Sequence, residues 1–172
     1  DLMSGAFLIN PLEPKEWSDN ASEADADSPE AFRKSTRLSQ HISFLKDFFR
    51  VYKDFDDAQI DALEILLTRL YGKFGITDNT DYDKLTSDDY PVMADLYAIV
   101  ESEYQRYEKG SKSLFTEDLL RELCLGLHSM CVGAESKFFN GRTNINDDRF
   151  IVFGVKGLME ANMKLKNAML FN

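Results

Sequence analysis

The period of the apolar residues changes near the end of this chain, and that change limits the folds open to it. Upstream, Leu38, Ile42, Leu45, Phe48, Phe49 and Tyr52 recur at three- and four-residue steps, the spacing that lines one face of a helix. Asp56 stands where a cap belongs for a second helix, with Ile60, Leu63, Leu66, Leu67, Leu70 and Tyr71 inside and Gly75 as its stop. Pro91, after Asp88 and Asp89, sits as a first-turn proline for a third, whose buried face is Met93, Leu96, Tyr97, Val100 and Tyr104. Thr116 caps a fourth, with Glu117 and Asp118 in its first turn and Gly133 past its end. Then residues 149–155, "RFIVFGV", run apolar without alternation. Such a run suits a strand covered on both faces, as in a parallel sheet flanked by helices. One strand cannot make a sheet, so its partners must lie elsewhere.

The other strand-like run is "AFLIN", closed by Pro11, because proline removes a donor and pushes the residue before it toward extended geometry. Pairing of residues 149–155 with Phe7 to Ile9 is therefore expected. The predicted organisation is a strand and turn over residues 1–12, an acidic loop over 13–37, an all-helical subdomain over 38–137, and a turn, strand and helix over 138–172. Residues 13–30, "EPKEWSDNASEADADSPE", have no apolar period and predict a mobile loop. A last helix is expected from near Gly157, with Leu158, Met159, Met163, Leu165, Met169 and Leu170 available for packing. The fold class is mainly α, a helical module flanked by one or two strands of an incomplete α/β sheet.

At 172 residues with 44% hydrophobic content, the chain suits one domain that buries about 70% of its extended-chain surface. A net charge of −10 argues against nucleic acid as the main ligand, since phosphate binding draws on a basic surface. No sequence-specific nucleic-acid binding is predicted. The acidity lies upstream, because residues 137–172 hold six basic residues against three acidic ones. Two cysteines, Cys124 and Cys131, make no disulfide framework and point to a reducing compartment. No apolar run approaches the roughly 20 residues that span a bilayer, and the first residues lack the pattern of a signal peptide. The sequence begins at Asp1 and stops inside the amphipathic stretch "GLMEANMKLKNAMLFN", so both ends are expected to be cut from a longer chain.

Chemical constellations are few. Cys124, His128 and Cys131 fall at i, i+4 and i+7, on one helical face. Zinc needs a fourth ligand and closely spaced cysteines, so a packed helix face is expected and no metal. Residues 79–90 place oxygen ligands at Asn79, Asp81 and Asp83, but Lys84 and Tyr90 stand where a calcium loop needs Gly and Glu. Capping aspartates in a solvated loop are expected there. Neither a G-x-S-x-G elbow nor a G-x-x-x-x-G-K-[ST] loop occurs. No acidic pair ends the strand at 149–155, so it cannot bind magnesium as a P-loop enzyme does. The chain alone is expected not to turn over nucleotide.

"FLINPLEP" (Phe7 to Pro14) followed much later by "FFNGRTNINDDRFIVFGVKGL" (Phe138 to Leu158) resembles the family of conjugative-transfer, type IV secretion ATPases. "DDAQIDAL" and "DDYPVMADLY" are similar to that family's helical segments. The resemblance covers nearly the whole chain in order. It implies the helical subdomain of a bacterial α/β P-loop motor, lying between the two nucleotide-binding motifs. For the whole motor it implies ATP and magnesium, oligomerisation, partners among the secretion channel components, and a cytoplasmic place at the inner face of the membrane. The residues that stand out are Asn140, Gly141, Arg142, Thr143 and Asn144. One reading makes Arg142 a finger that reaches a nucleotide in a neighbouring subunit. The other makes Asn140-Gly141 a turn whose backbone is satisfied by Thr143 and Asn144. The alternative function is a free-standing helical interaction module.

Overall fold

A computed structural model describes residues 8–14 and 36–144. Its elements are α1 (Arg37–Lys53), α2 (Asp57–Lys73), two 3-10 turns (Tyr82–Lys84 and Ser87–Asp89), α3 (Met93–Arg106), α4 (Glu117–Cys131) and the short α5 (Ser136–Phe139). The protein is mainly helical, and no strand occurs among the described residues.

Local chemistry sets most of the boundaries. Thr36 accepts the Ser39 amide at 3.1 Å and starts α1. Asp56 and Gln59 close a reciprocal box on α2, with bonds of 2.8 and 2.9 Å. Gly75, at φ 72°, ends α2. Its amide reaches the Gly72 carbonyl at 3.1 Å, and the Ile76 amide reaches that of Tyr71 at 3.0 Å. This double bond is the Schellman closure that a left-handed glycine permits. Thr116 caps α4 through the Leu119 amide at 3.2 Å.

α3 departs from the expectation. It begins at Met93, so Pro91 lies outside the helix and not in its first turn. The side chain of Asp95 holds the Val92 amide at 2.8 Å, which fixes the start two residues after the proline.

The helices bury one shared core. α3 packs most extensively on α4, while α2 touches α1, α3 and α4. Leu45, Phe48, Phe49, Leu63, Leu66, Leu67, Leu96, Val100, Leu123 and Leu127 are fully enclosed, each contributing about 1.5–3 kcal/mol of transfer free energy. Phe48 stacks on Tyr52 at 5.5 Å and meets Phe139 edge-on at 6.3 Å, so α5 closes the bottom of α1. The strand expected at 149–155 lies outside the described residues. So do the last helix and most of the acidic loop, of which only 13–14 and 36–37 are described. Leu8 and Ile9, expected in a strand, are not one here, and their backbone bonds go elsewhere.

Candidate functional site

Residues 8–14 cross the helices as an irregular and mostly buried strap. Buried backbone without a ladder must find partners group by group, and here it does. The Leu8 amide donates to Asn144 Oδ1 at 2.9 Å, and the Leu8 carbonyl accepts the Asn144 amide at 3.2 Å. The Ile9 amide donates to the Phe138 carbonyl at 3.1 Å. Thr143 Oγ1 accepts the Asn10 amide at 2.9 Å. His41 Nε2 lies 2.8 Å from the Pro11 carbonyl, the Tyr71 hydroxyl donates to that of Leu12, and Arg37 donates to that of Pro14 at 3.0 Å.

Asn10 is the centre of this arrangement and is only 1% exposed. Its Oδ1 accepts the Leu12 amide at 3.1 Å, an Asx turn ahead of Pro11. Its Nδ2 donates to the Pro91 carbonyl at 2.8 Å. The turn at 140–144 approaches the same point from the other side. Asn140 Oδ1 accepts the Ala94 amide at 2.9 Å, in the first turn of α3. Arg142 donates to the carbonyls of Ser87 (3.1 Å) and Tyr90, and lies 3.6 Å from Asp88 Oδ1. Gly141 has φ 156°, and a Cβ there would stand 2.9 Å from the Leu8 side chain. The positive φ favours glycine, while the Leu8 methyl could move aside for a Cβ.

The structure thus gathers Asn140, Gly141, Arg142, Thr143 and Asn144 at one junction with residues 8–14. It adds three residues that the sequence does not assign to a site: Asn10, His41 and Tyr71, the last expected only as core. The Asn-Pro dipeptide was a turn signal. His41 and Tyr71 carried none, because they meet the strap 30 and 59 residues away in sequence.

The electrostatics are those of a packed joint. Burial drives the Tyr71 hydroxyl well above its ordinary 10.0, and burial likewise raises Tyr90 against the opposing pull of Arg37. Cys131 is pushed up to about 12 by burial, with Lys53 pulling the other way, so its thiol stays protonated at neutral pH. Cys124 and Cys131 turn inward, while His128 is exposed and packs edge-on against Tyr97 at 5.7 Å. The three do not converge. In the 78–89 connection, Asp78 accepts the Thr36 hydroxyl at 2.5 Å, Asp81 accepts the Asp83 amide at 3.3 Å, and Asp89 accepts the Thr86 amide at 2.7 Å. Asp81 and Asp89 act as caps of the 3-10 turns, while Asp78 holds the Thr36 side chain. No group of three or more His, Cys, Asp or Glu is placed to hold a metal among the described residues. No described helix is long and apolar enough to cross a membrane.

Such a joint can hold two distant parts of a chain in register. The fold resembles VirB4. The solved structure is that of VirB4 of Thermoanaerobacter pseudethanolicus, at a TM-score of 0.64 and 25% identity over 82% of this chain. The chain covers 32% of VirB4, about a third of its length. No protein-family model and no curated protein matches the sequence. The likeness to VirB4 supports, at the level of the fold, the family that "FLINPLEP" and "FFNGRTN" suggested.

Proposed function

We propose that this chain is the helical segment of a type IV secretion ATPase, set into the motor between its nucleotide-binding motifs. The observation that carries the reading is the junction. Residues 8–10 and 138–144 are hydrogen-bonded to each other, so the chain arrives at and departs from the helical body at one place. A module inserted into a sheet needs that arrangement, and the likeness to VirB4 supports the same origin. In this reading ATP and magnesium are bound by the rest of the motor. Its partners are the secretion channel components, and it works as an oligomer at the cytoplasmic face of the membrane.

Thr143 and Asn144 bond the strap at Asn10 and Leu8 rather than the backbone of their own turn, and for Arg142 a holding role inside this chain is the reading we favour over a finger. Its guanidinium is committed to the Ser87 and Tyr90 carbonyls, and a reach across a subunit boundary would first break those bonds.

The coding sequence ahead of Asp1 tests the proposal. A G-x-x-x-x-G-K-[ST] loop within a few dozen codons supports it, and a start codon with no such loop overturns it. The second outcome would favour the interaction module, for which Leu125 on α4 (72% exposed) and Val132 just past its end (44%) offer apolar surface. On either reading the present chain is expected to show no ATP hydrolysis above background in a phosphate-release assay, because it carries no phosphate-binding loop.

A further inference from the structure

Of the four long helices among the described residues, α3 alone lacks a side-chain cap from its own N-cap residue. α1, α2 and α4 begin behind Thr36, Asp56 and Thr116, each with an oxygen on an amide of the first turn. α3 begins behind Val92, which has no oxygen to offer. The acceptor for the Ala94 amide is instead Asn140 Oδ1 at 2.9 Å, from 46 residues downstream. The carbonyls just ahead of the helix are held from the same two places, Tyr90 by Arg142 and Pro91 by Asn10. Asn10 is in turn held through its amide by Thr143.

We infer that the junction is a conformational coupling device: Asp95 holds the Val92 amide locally, but the Ala94 amide and the carbonyls just ahead of α3 keep their partners only while the strap at 8–14 and the turn at 140–144 stay together. Release of the turn frees the Ala94 amide, release of the strap frees the Pro91 carbonyl just ahead of α3, and either one loosens the other. Because every contact lies within this chain, the coupling holds or fails independently of the motor reading. A helix capped by its own N-cap residue would be indifferent to such a change, since local capping survives movement of the neighbours. Coupling between two sites is also reciprocal, so a disturbance on the α3 side must reach the strap.

Amide hydrogen exchange on the whole chain tests this with variants that do not touch the amide being read. Thr143→Val keeps the shape and removes only the oxygen on Asn10. It is expected to speed exchange at Ala94 and Asp95 by about five- to tenfold, the equivalent of one net hydrogen bond. Leu63 and Leu66 at the centre of α2 should be unchanged. In the reverse direction, Asn140→Ala, which removes the oxygen on Ala94, should speed exchange at Leu8 and Ile9 by a similar factor. Asn140→Asp retains an acceptor and should stay near the wild-type rates. Unchanged exchange at Ala94 in Thr143→Val overturns the coupling. So does a uniform rise that includes α2, which would report global destabilisation, and so does an Asn140→Asp protein that behaves like Asn140→Ala.

Discussion

Asn10 carries more of the junction than its size suggests. Its side chain bonds Pro91 and Leu12, its amide bonds Thr143 and its carbonyl accepts Glu13, all at 1% exposure. Asn10→Ala strands a buried carbonyl and a buried amide together, and each such loss costs about 1–3 kcal/mol. A fall of about 2 kcal/mol or more in unfolding free energy is expected, read from the midpoint of a urea titration. Tyr71 makes a second test, through pH. Its folded-state pKa lies above the ordinary 10.0, and burial likewise raises Tyr52 and Cys131, each to about 12. The native chain therefore keeps protons that the unfolded chain releases once pH passes about 9 to 10. The stabilisation is complete below that range and is lost as pH climbs through the folded values. Tyr71→Phe should flatten the alkaline limb of a stability-against-pH curve while lowering the plateau by about 1 kcal/mol for the lost bond to Leu12.

At the scale of elements, packing rather than propensity decides what happens at Gly126. It lies inside α4, where exchanging glycine for alanine ordinarily gains about 1 kcal/mol. Here an added Cβ would stand 2.5 Å from the Phe55 ring, which is only 7% exposed and faces Phe49 at 6.4 Å. Gly126→Ala should therefore destabilise by about 1–3 kcal/mol, the usual cost of overpacking, visible as a lower melting temperature. The elements themselves were largely legible in the sequence. Every residue assigned to the inner face of α2 is buried, and the caps at Asp56 and Thr116 sit where the pattern put them, because spacing and capping act within a few residues. α5 was not foreseen, since its four residues are too few to show a period. Ile99 is buried though it was left off the α3 stripe, because α3 is enclosed on more than one side by α4 and α2. The junction was half legible. Asn140-Gly141 is a turn signal and the rest of the 140–144 turn stood out through the family resemblance, whereas their partners in the strap and on α3 are joined across 46 to 136 residues, and no local pattern encodes that.

For the whole molecule, the strap is part of the core. Ile9 is 4% exposed and Leu12 is fully buried, and both rest on helices that would otherwise present apolar surface and the side chains of His41 and Tyr71 to water. A chain beginning at residue 15 should melt about 10 °C lower or more, from the transfer free energy of two large side chains and the slope of melting temperature with stability. It should also bind an apolar dye such as ANS. Melting within 2 °C or so of the whole chain would mean that the strap only decorates a body that is complete without it.

The borrowed cap on α3 also has a consequence in time. A ribosome delivers Ala94 before Asn140, and the 46 residues between them take roughly 2 to 9 seconds at ordinary elongation rates. Helices α1 and α2 can settle as they emerge, since their caps travel with them. For those seconds the first turn of α3 has no partner for its Ala94 amide, and the nascent chain must wait for a residue not yet made before that end of the helix is finished.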